Sequence, residues 1–424
     1  MRALDREILR LALPALGALL VEPLVSVVDT AFVGRLGARP LAALGITTAL
    51  LGLFFVVFNF LAYATTPRIA YALGKGDRQE ALKRASEALW LSLGLGGLAA
   101  LLLLVLAPFL VGLMGGGAVY REALGYLRLR ALSGPAILLT TAAHGIYRGF
   151  QDTRTPFLVS LAANLANALL DPVLIFPLGM GLNGAALASV LAQSLGAGWF
   201  LHRLVRLGAW RPFPGLAALA PYLRVGGEML LRTASLVGAI AVAAAAAARI
   251  GVVAVAAHQI LWQVWLLLAM ALDALAIAAQ ALVARLRGED PGAARAASDR
   301  LLALGLWAGL ALALLLLPGR AWVPAFFTPD PAVGAAVRSV WPVVVLATPV
   351  NALVFVWDGV FMAAERFRFL AVTTFLASLL GSLWFLAVPP LGLGLVALWG
   401  GMLAMNLVRG AFQAWGYAKR KLAP

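Results

Sequence analysis

The sequence contains no cysteine, only three histidines, and charged residues at just 12% of its 424 positions. The first absence excludes disulfides, cysteine-ligated zinc and iron–sulfur clusters. The second leaves His144, His202 and His258 scattered, a poor arrangement for a metal site. The third, together with 63% hydrophobic residues and a mean hydropathy of +0.95, removes the chain from the soluble globular class. Catalytic and nucleotide motifs are missing too: there is no G-x-x-x-x-G-K-[ST], H-E-x-x-H or G-x-S-x-G run. An ATP-driven pump and an intramembrane enzyme therefore lack support.

What the chain has in abundance is apolar sequence in lengths that cross a hydrocarbon core as helix, about 20 residues or more. Twelve such spans are expected, over 7–33, 41–73, 84–114, 122–150, 155–178, 182–206, 223–249, 252–285, 299–319, 333–364, 367–388 and 394–418. This predicts an all-α, multi-pass membrane protein. The opening MRALDREILRLALPA enters the first span without an A-x-A-like cleavage site, so that span is expected to act as its own insertion signal.

The formal net charge of +15 follows the loops. The N-terminus, the even-to-odd loops and the C-terminus hold 22 Lys and Arg, against 8 in the other loops, and Arg68, Arg232 and Arg409 lie within spans. By the positive-inside rule both termini are expected in the cytoplasm, at a cytoplasmic (inner) membrane. Basic loops also attract anionic headgroups, so the expected partner is the lipid bilayer and not a nucleic acid. No obligate protein partner is read from the chain.

Sliding the sequence along itself by 214 residues pairs Leu9-Arg10 with Leu223-Arg224, Gly74 with Gly288, Gly145 with Gly359, and Arg154 with Arg368. The expected organisation is an N-terminal lobe at 1–206, a proline-rich linker at 207–222 and a C-terminal lobe at 223–424. Six spans per lobe give parallel repeats, with substrate expected between them. The loops GKGDRQEALKR and RLRGEDPGAARAASDR occupy equivalent places and read as short interfacial segments.

Within this apolar background stand Glu22, Asp29, Asp171, Glu228, Asp273 and Asp358. An ionised side chain near the bilayer centre costs about 2.5–3.5 kcal/mol on insertion scales, so each needs a cavity or a partner. Asp29 on the first span, Asp171 on the fifth and Ser189 on the sixth all fall about 6–10 Å below one membrane boundary, at 1.5 Å rise per residue. On the fifth span Asn164, Asn167 and Asp171 share a helix face by their spacing. Glu22 lies on the Asp29 helix, where Pro14 and Pro23 each remove a backbone donor and permit bending. Such a cluster could take a proton, hold Na⁺, or serve only as a buried network locking three helices.

In the second half the offset places Ala243, Gly381, Phe385 and Leu403 opposite Asp29, Asn167, Asp171 and Ser189, so the cluster is not repeated. Glu228 precedes Arg232 by one turn, which reads first as a structural ion pair and second as a gate. Asp273 and Asp358 are open to a cationic substrate or a second ion.

The segments VDTAFVGRLG (28–37), FLAYATT (60–66), NLANALLDPVLIF (164–176) and GLNGAALASV (181–190) together resemble the multidrug and toxic compound extrusion (MATE) family across essentially the whole chain. MLLRTASLVGAIAVAAAAAARIG and WDGVFMAAERFR look like its DNA-damage-inducible F (DinF) branch. The resemblance implies a V-shaped fold of twelve transmembrane helices. It also implies export of organic cations and other amphipathic, drug-like compounds in exchange for H⁺ or Na⁺, with no other cofactor. It maps a cation site onto Asp29, Asn167, Asp171 and Ser189, the last replacing the Thr of many members with its hydroxyl kept. Glu228 and Asp358 match acidic positions of NorM-type exporters only loosely. The expected function is secondary-active multidrug antiport by alternating access. The alternative is a flippase for a lipid or lipid-linked saccharide, whose anionic substrate calls for more cavity arginines than three.

Overall fold

The computed structural model describes residues 3–114 and 117–419, and every regular element among them is helical. In chain order these are α1 Ala3–Gly34, α2 Ala38–Phe55, α3 Phe60–Gly74, α4 Arg78–Leu113, α5 Tyr120–Ala131, α6 Gly134–Gly149, α7 Arg154–Ile175 and α8 Gly181–Arg206. There follow α9 Leu216–Ile250, α10 Val252–Glu289, α11 Pro291–Leu316, α12 Gly319–Phe327, α13 Pro331–Ala363, α14 Phe367–Ala387 and α15 Leu395–Ala418. A 3₁₀ turn, Val56–Asn59, joins α2 to α3, so that Ala38–Gly74 forms one long apolar stretch.

Eleven stretches of the described residues are long and apolar enough to cross a membrane. Large apolar side chains stand exposed along them, including Val105, Phe109, Leu169 and Leu314, as lipid-facing positions require. The remaining expected span, 122–150, is divided into α5 and α6 at Leu132 and Ser133. Pro135 explains the break: it fits the first turn of α6, where its missing N–H is harmless, but it could not continue α5. The polar loops expected as interfacial segments are instead tight turns between long helices. The Asp77 carboxylate accepts the Glu80 N–H at 2.8 Å, and Asp290 accepts those of Gly292 and Ala293 at 2.8 and 3.1 Å. Each N-cap lets a helix start without an intervening element.

The helices form two compact units, Leu13–Gly226 and a second made of the residues up to Ala12 with Gly227 onward. In the first, α6 packs on α3, α4 and α8, while α7 lies along α8; in the second, α13 packs on α10, α11 and α15. The stretch 207–222 is strapped to α4 of the first unit. The Trp90 indole donates to the Arg211 carbonyl at 2.9 Å, and the Tyr222 hydroxyl donates to the buried Glu87 carboxylate at 3.2 Å. The start of α1 is tied into the second unit, where Arg300 donates to both oxygens of Asp5 at 2.7 and 2.9 Å and Arg285 meets Glu7 at 2.8 Å.

The backbone carries the duplication more sharply than the side chains do. Among the described residues, the non-glycine positions with positive φ are Gln151 at 63° and Glu365 at 54°, separated by the same 214 residues. Left-handed backbone is uncommon outside glycine, so its recurrence marks a shared chain path. Packing repeats as well: a Cβ on Gly145 would lie 2.8 Å from Ala62 Cα, and one on Gly359 would strike the backbone of Ala276, the residue equivalent to Ala62. We expect Gly359→Leu to destabilise the second unit by about 3 kcal/mol or more, because backbone cannot yield as a side-chain tip can. Thermal unfolding in detergent reads this, and a wild-type midpoint would contradict it.

Candidate functional site

The carboxylates of α1 and α7 meet through one amide. Asn167 and Asp171 stand a turn apart on the buried face of α7, at 5% and 0% exposure. The Asn167 amide nitrogen donates to Asp171 Oδ2 at 3.0 Å and to Asp29 Oδ1 on α1 at 2.8 Å. An asparagine amide has two N–H donors, so both are committed. The second oxygen of Asp171, Oδ1, is buried without a hydrogen-bond partner. Donors run out before acceptors do, and the pair is left with capacity for a proton or a small cation.

Local sequence sharpens this. Pro172 follows Asp171 inside α7 and has no N–H, which removes the helix bond to the Ala168 carbonyl one turn back. That leaves a backbone oxygen near the acid available as a further acceptor. On the other side, α8 reaches α7 through a glycine: a Cβ on Gly184 would lie 2.8 Å from the Leu174 carbonyl oxygen. Small residues at such crossings let helix backbones approach. Ser189, one turn further along α8, is buried at 8% exposure and makes no hydrogen bond to Asp29, Asn167 or Asp171 among the described residues.

Sequence reasoning missed the contribution of α5. Arg130 donates to Gln193 Oε1 on α8 at 2.9 Å and to Ser133 Oγ at 3.2 Å, and its charge reaches Asp171. Tyr126, a turn before it and 5% exposed, lies in the field of both acids and of Arg130. From sequence alone Arg130 has no role beyond its share of the basic-residue tally. The one available sign was the four-residue spacing that stacks it with Tyr126 on a short helix.

The other candidates fall elsewhere. Asn164 turns its amide back to the Ser160 carbonyl at 2.8 Å and does not join the cluster. Pro14 and Pro23 sit inside α1, which remains helical from Ala3 to Gly34. The Glu22 side chain lies outside the described residues. Glu228 on α9 and Asp273 on α10 are both half-buried. Asp358 on α13 is enclosed by cations: its Oδ2 accepts from Arg232 at 2.5 Å and from Arg409 at 2.9 Å, and its Oδ1 accepts from Gln413 at 2.6 Å. Arg232, four residues after Glu228 on α9, reaches across to Asp358 on α13. Two guanidinium groups on one carboxylate oppose a further cation there, which runs against the expectation of a second ion at Asp358.

Three comparisons bear on this arrangement. The MatE family model matches residues 14–173 and 230–384. Protein DETOXIFICATION 44, chloroplastic, of Arabidopsis thaliana is 35% identical over 427 residues, covering 96% of this chain and 81% of that one. The DNA damage-inducible protein F of Escherichia coli (strain K12) is 33% identical over 191 residues, 45% of this chain and 42% of that one. Among solved structures, a MATE protein in the bent conformation superposes with a TM-score of 0.91 at 23% identity, covering 99% of this chain and 96% of its own. The chain is a multi-pass membrane protein that belongs to the MATE family of transporters.

Proposed function

We propose that this transporter is a secondary-active antiporter that exports organic cations and other amphipathic drugs, driven by entry of H⁺ or Na⁺ at Asp29, Asn167, Asp171 and Ser189. The observation that carries the reading is the single Asn167 amide joining two carboxylates, one of them fully buried with an oxygen to spare. Two like charges this close repel in a medium of low dielectric, and a loaded cation relieves the repulsion. A proton converts one acceptor into a donor. A sodium ion would draw instead on carboxylate oxygens, the Ser189 hydroxyl and the carbonyl that Pro172 leaves free.

Loading must change the shape of the protein to drive transport. Asp29 hangs on α1, whose interior prolines at 14 and 23 each remove one helix hydrogen bond and lower the cost of bending. Neutralising Asp29 alters its hold on Asn167, and α1 responds by bending as the transporter passes between open states. The distribution of basic residues supports an inner-membrane protein with both termini in the cytoplasm.

The flippase alternative gains nothing from the span arginines, which are each engaged within one unit. Arg232 and Arg409 close on Asp358, and Arg68 lies 4.3 Å from the centre of the Tyr222 ring. The test is efflux of a fluorescent organic cation from proteoliposomes with pH and Na⁺ gradients imposed independently. Efflux that follows one gradient is expected and names the ion. No efflux under either gradient overturns the antiport reading.

A further inference from the structure

A cavity of about 250 Å³ opens within the first unit, away from the carboxylate pair, where the starts of α4 and α7 meet the ends of α6 and α8. It is lined by Arg78, Leu82, Tyr147, Phe150, Asp152, Arg203 and Leu207. The volume is below the roughly 300–1,000 Å³ of pockets that enclose drug-sized ligands, so this is not a second drug chamber.

Its polar groups are arranged for an anion. Two guanidinium groups face one carboxylate, and that carboxylate is already in use: Asp152 Oδ1 accepts the Thr155 N–H at 2.9 Å as a cap on α7. The wall also holds a buried donor without a mate. Tyr147 is 4% exposed; its hydroxyl donates to no acceptor, and its polar neighbour is the Arg203 guanidinium, itself only a donor. A buried hydroxyl normally finds one, and this one lines the cavity. Arginines supply a planar fork suited to phosphate, and a phenol adds one more donor.

The surroundings identify what carries the anion. Leu82, Phe150 and Leu207 give the cavity an apolar wall, and Leu207 is 41% exposed. The neighbouring turns carry Lys75, Lys83, Arg84, Arg148, Arg154 and Arg206, the basic set that assigns this end to the cytoplasmic leaflet. Basic pockets between helices on that side hold anionic lipid headgroups. We infer that this cavity binds the phosphate of an anionic phospholipid, seated between Arg78 and Arg203 with the Tyr147 hydroxyl donating to it. The inference does not rest on the antiport reading, because it concerns a bound lipid and not a transported substrate.

Full-length protein, delipidated in detergent, is titrated with phosphatidylglycerol and with phosphatidylcholine of the same acyl chains, and bound lipid is counted by native mass spectrometry. A parallel titration uses inorganic phosphate alone. Phosphatidylglycerol is expected to bind about tenfold more tightly than phosphatidylcholine, as two charge-assisted contacts imply. The double variant Arg78→Gln/Arg203→Gln loses most of that preference; both side chains are exposed, so folding is spared. Tyr147→Phe keeps the ring and weakens phosphatidylglycerol about fivefold. Equal binding of the two lipids, or full preference in the double variant, overturns the proposal. Binding of inorganic phosphate without binding of phosphatidylglycerol also overturns it, since a lipid is then not the source.

Discussion

Replacing Asp171 with asparagine is expected to lower gradient-driven efflux of a fluorescent organic cation by about 100-fold, the upper range of coupling between two ligands, with protein yield near wild type. The substitution keeps the shape of the side chain and an oxygen for the Asn167 amide, which donates to Asp171 at 3.0 Å. What disappears is the carboxylate charge, at a fully buried position, that the proposal assigns to the coupling ion. Asp29→Asn should act in the same direction, because the same amide ties it to the same pair at 2.8 Å. Equilibrium binding of the substrate separates loss of coupling from loss of the site. Variants that still bind the cation but ignore the gradient fit the account, whereas wild-type efflux in both contradicts it.

The largest effect on stability is expected at Asp358, in the second unit. Asp358→Ala removes the carboxylate that Arg409 pairs with among the described residues, and leaves its buried guanidinium beside Arg232 without that counter-charge. Removing one partner of a buried pair typically costs about 3–5 kcal/mol, since the abandoned charge stays desolvated. Asp358→Asn should cost less, because its amide oxygen still accepts from Arg409 while Gln413 can turn its unpartnered Oε1 toward the new NH₂ group. The readings are thermal unfolding and the monodisperse fraction in detergent. An Asp358→Ala protein as stable as the wild type would mean that the network is solvated, contrary to the 5% exposure of Arg409.

These two acids illustrate what could and could not be read in the sequence. Asp29, Asn167 and Asp171 were legible because two simple periodicities converge on them: depth along the span places Asp29 and Asp171 in one layer, and helical spacing puts Asn167 and Asp171 on one face. The same spacing puts Asn164 on that face, but a face is wider than a hydrogen-bonded cluster, and its amide donates to the Ser160 carbonyl instead.

Asp358 was ambiguous because its partners come from α9 and α15, far away in sequence, and nothing local marks them. The i−4 spacing pointed from Arg232 to Glu228 and gave no sign of its contact with Asp358 across the helix interface. Arg130 was hidden by a different error. With 122–150 taken as one continuous span, Arg130 drew no reading of its own, whereas the break before Pro135 makes a short helix beside the acids. Of the pairs that made the repeat legible, Gly145 and Gly359 have a structural cause, because each admits a backbone that no larger residue could.

The central claim is that the carboxylate pair bridged by Asn167 holds the coupling ion. The most direct measurement is ion release on substrate addition to the purified transporter, read by a pH dye in weak buffer for H⁺ and by displaced ²²Na⁺ for sodium. The account predicts release of one of the two ions from the wild type and none from Asp171→Asn under conditions where that variant still binds the substrate. Equal release from both proteins would contradict it and move the coupling ion to another part of the chain.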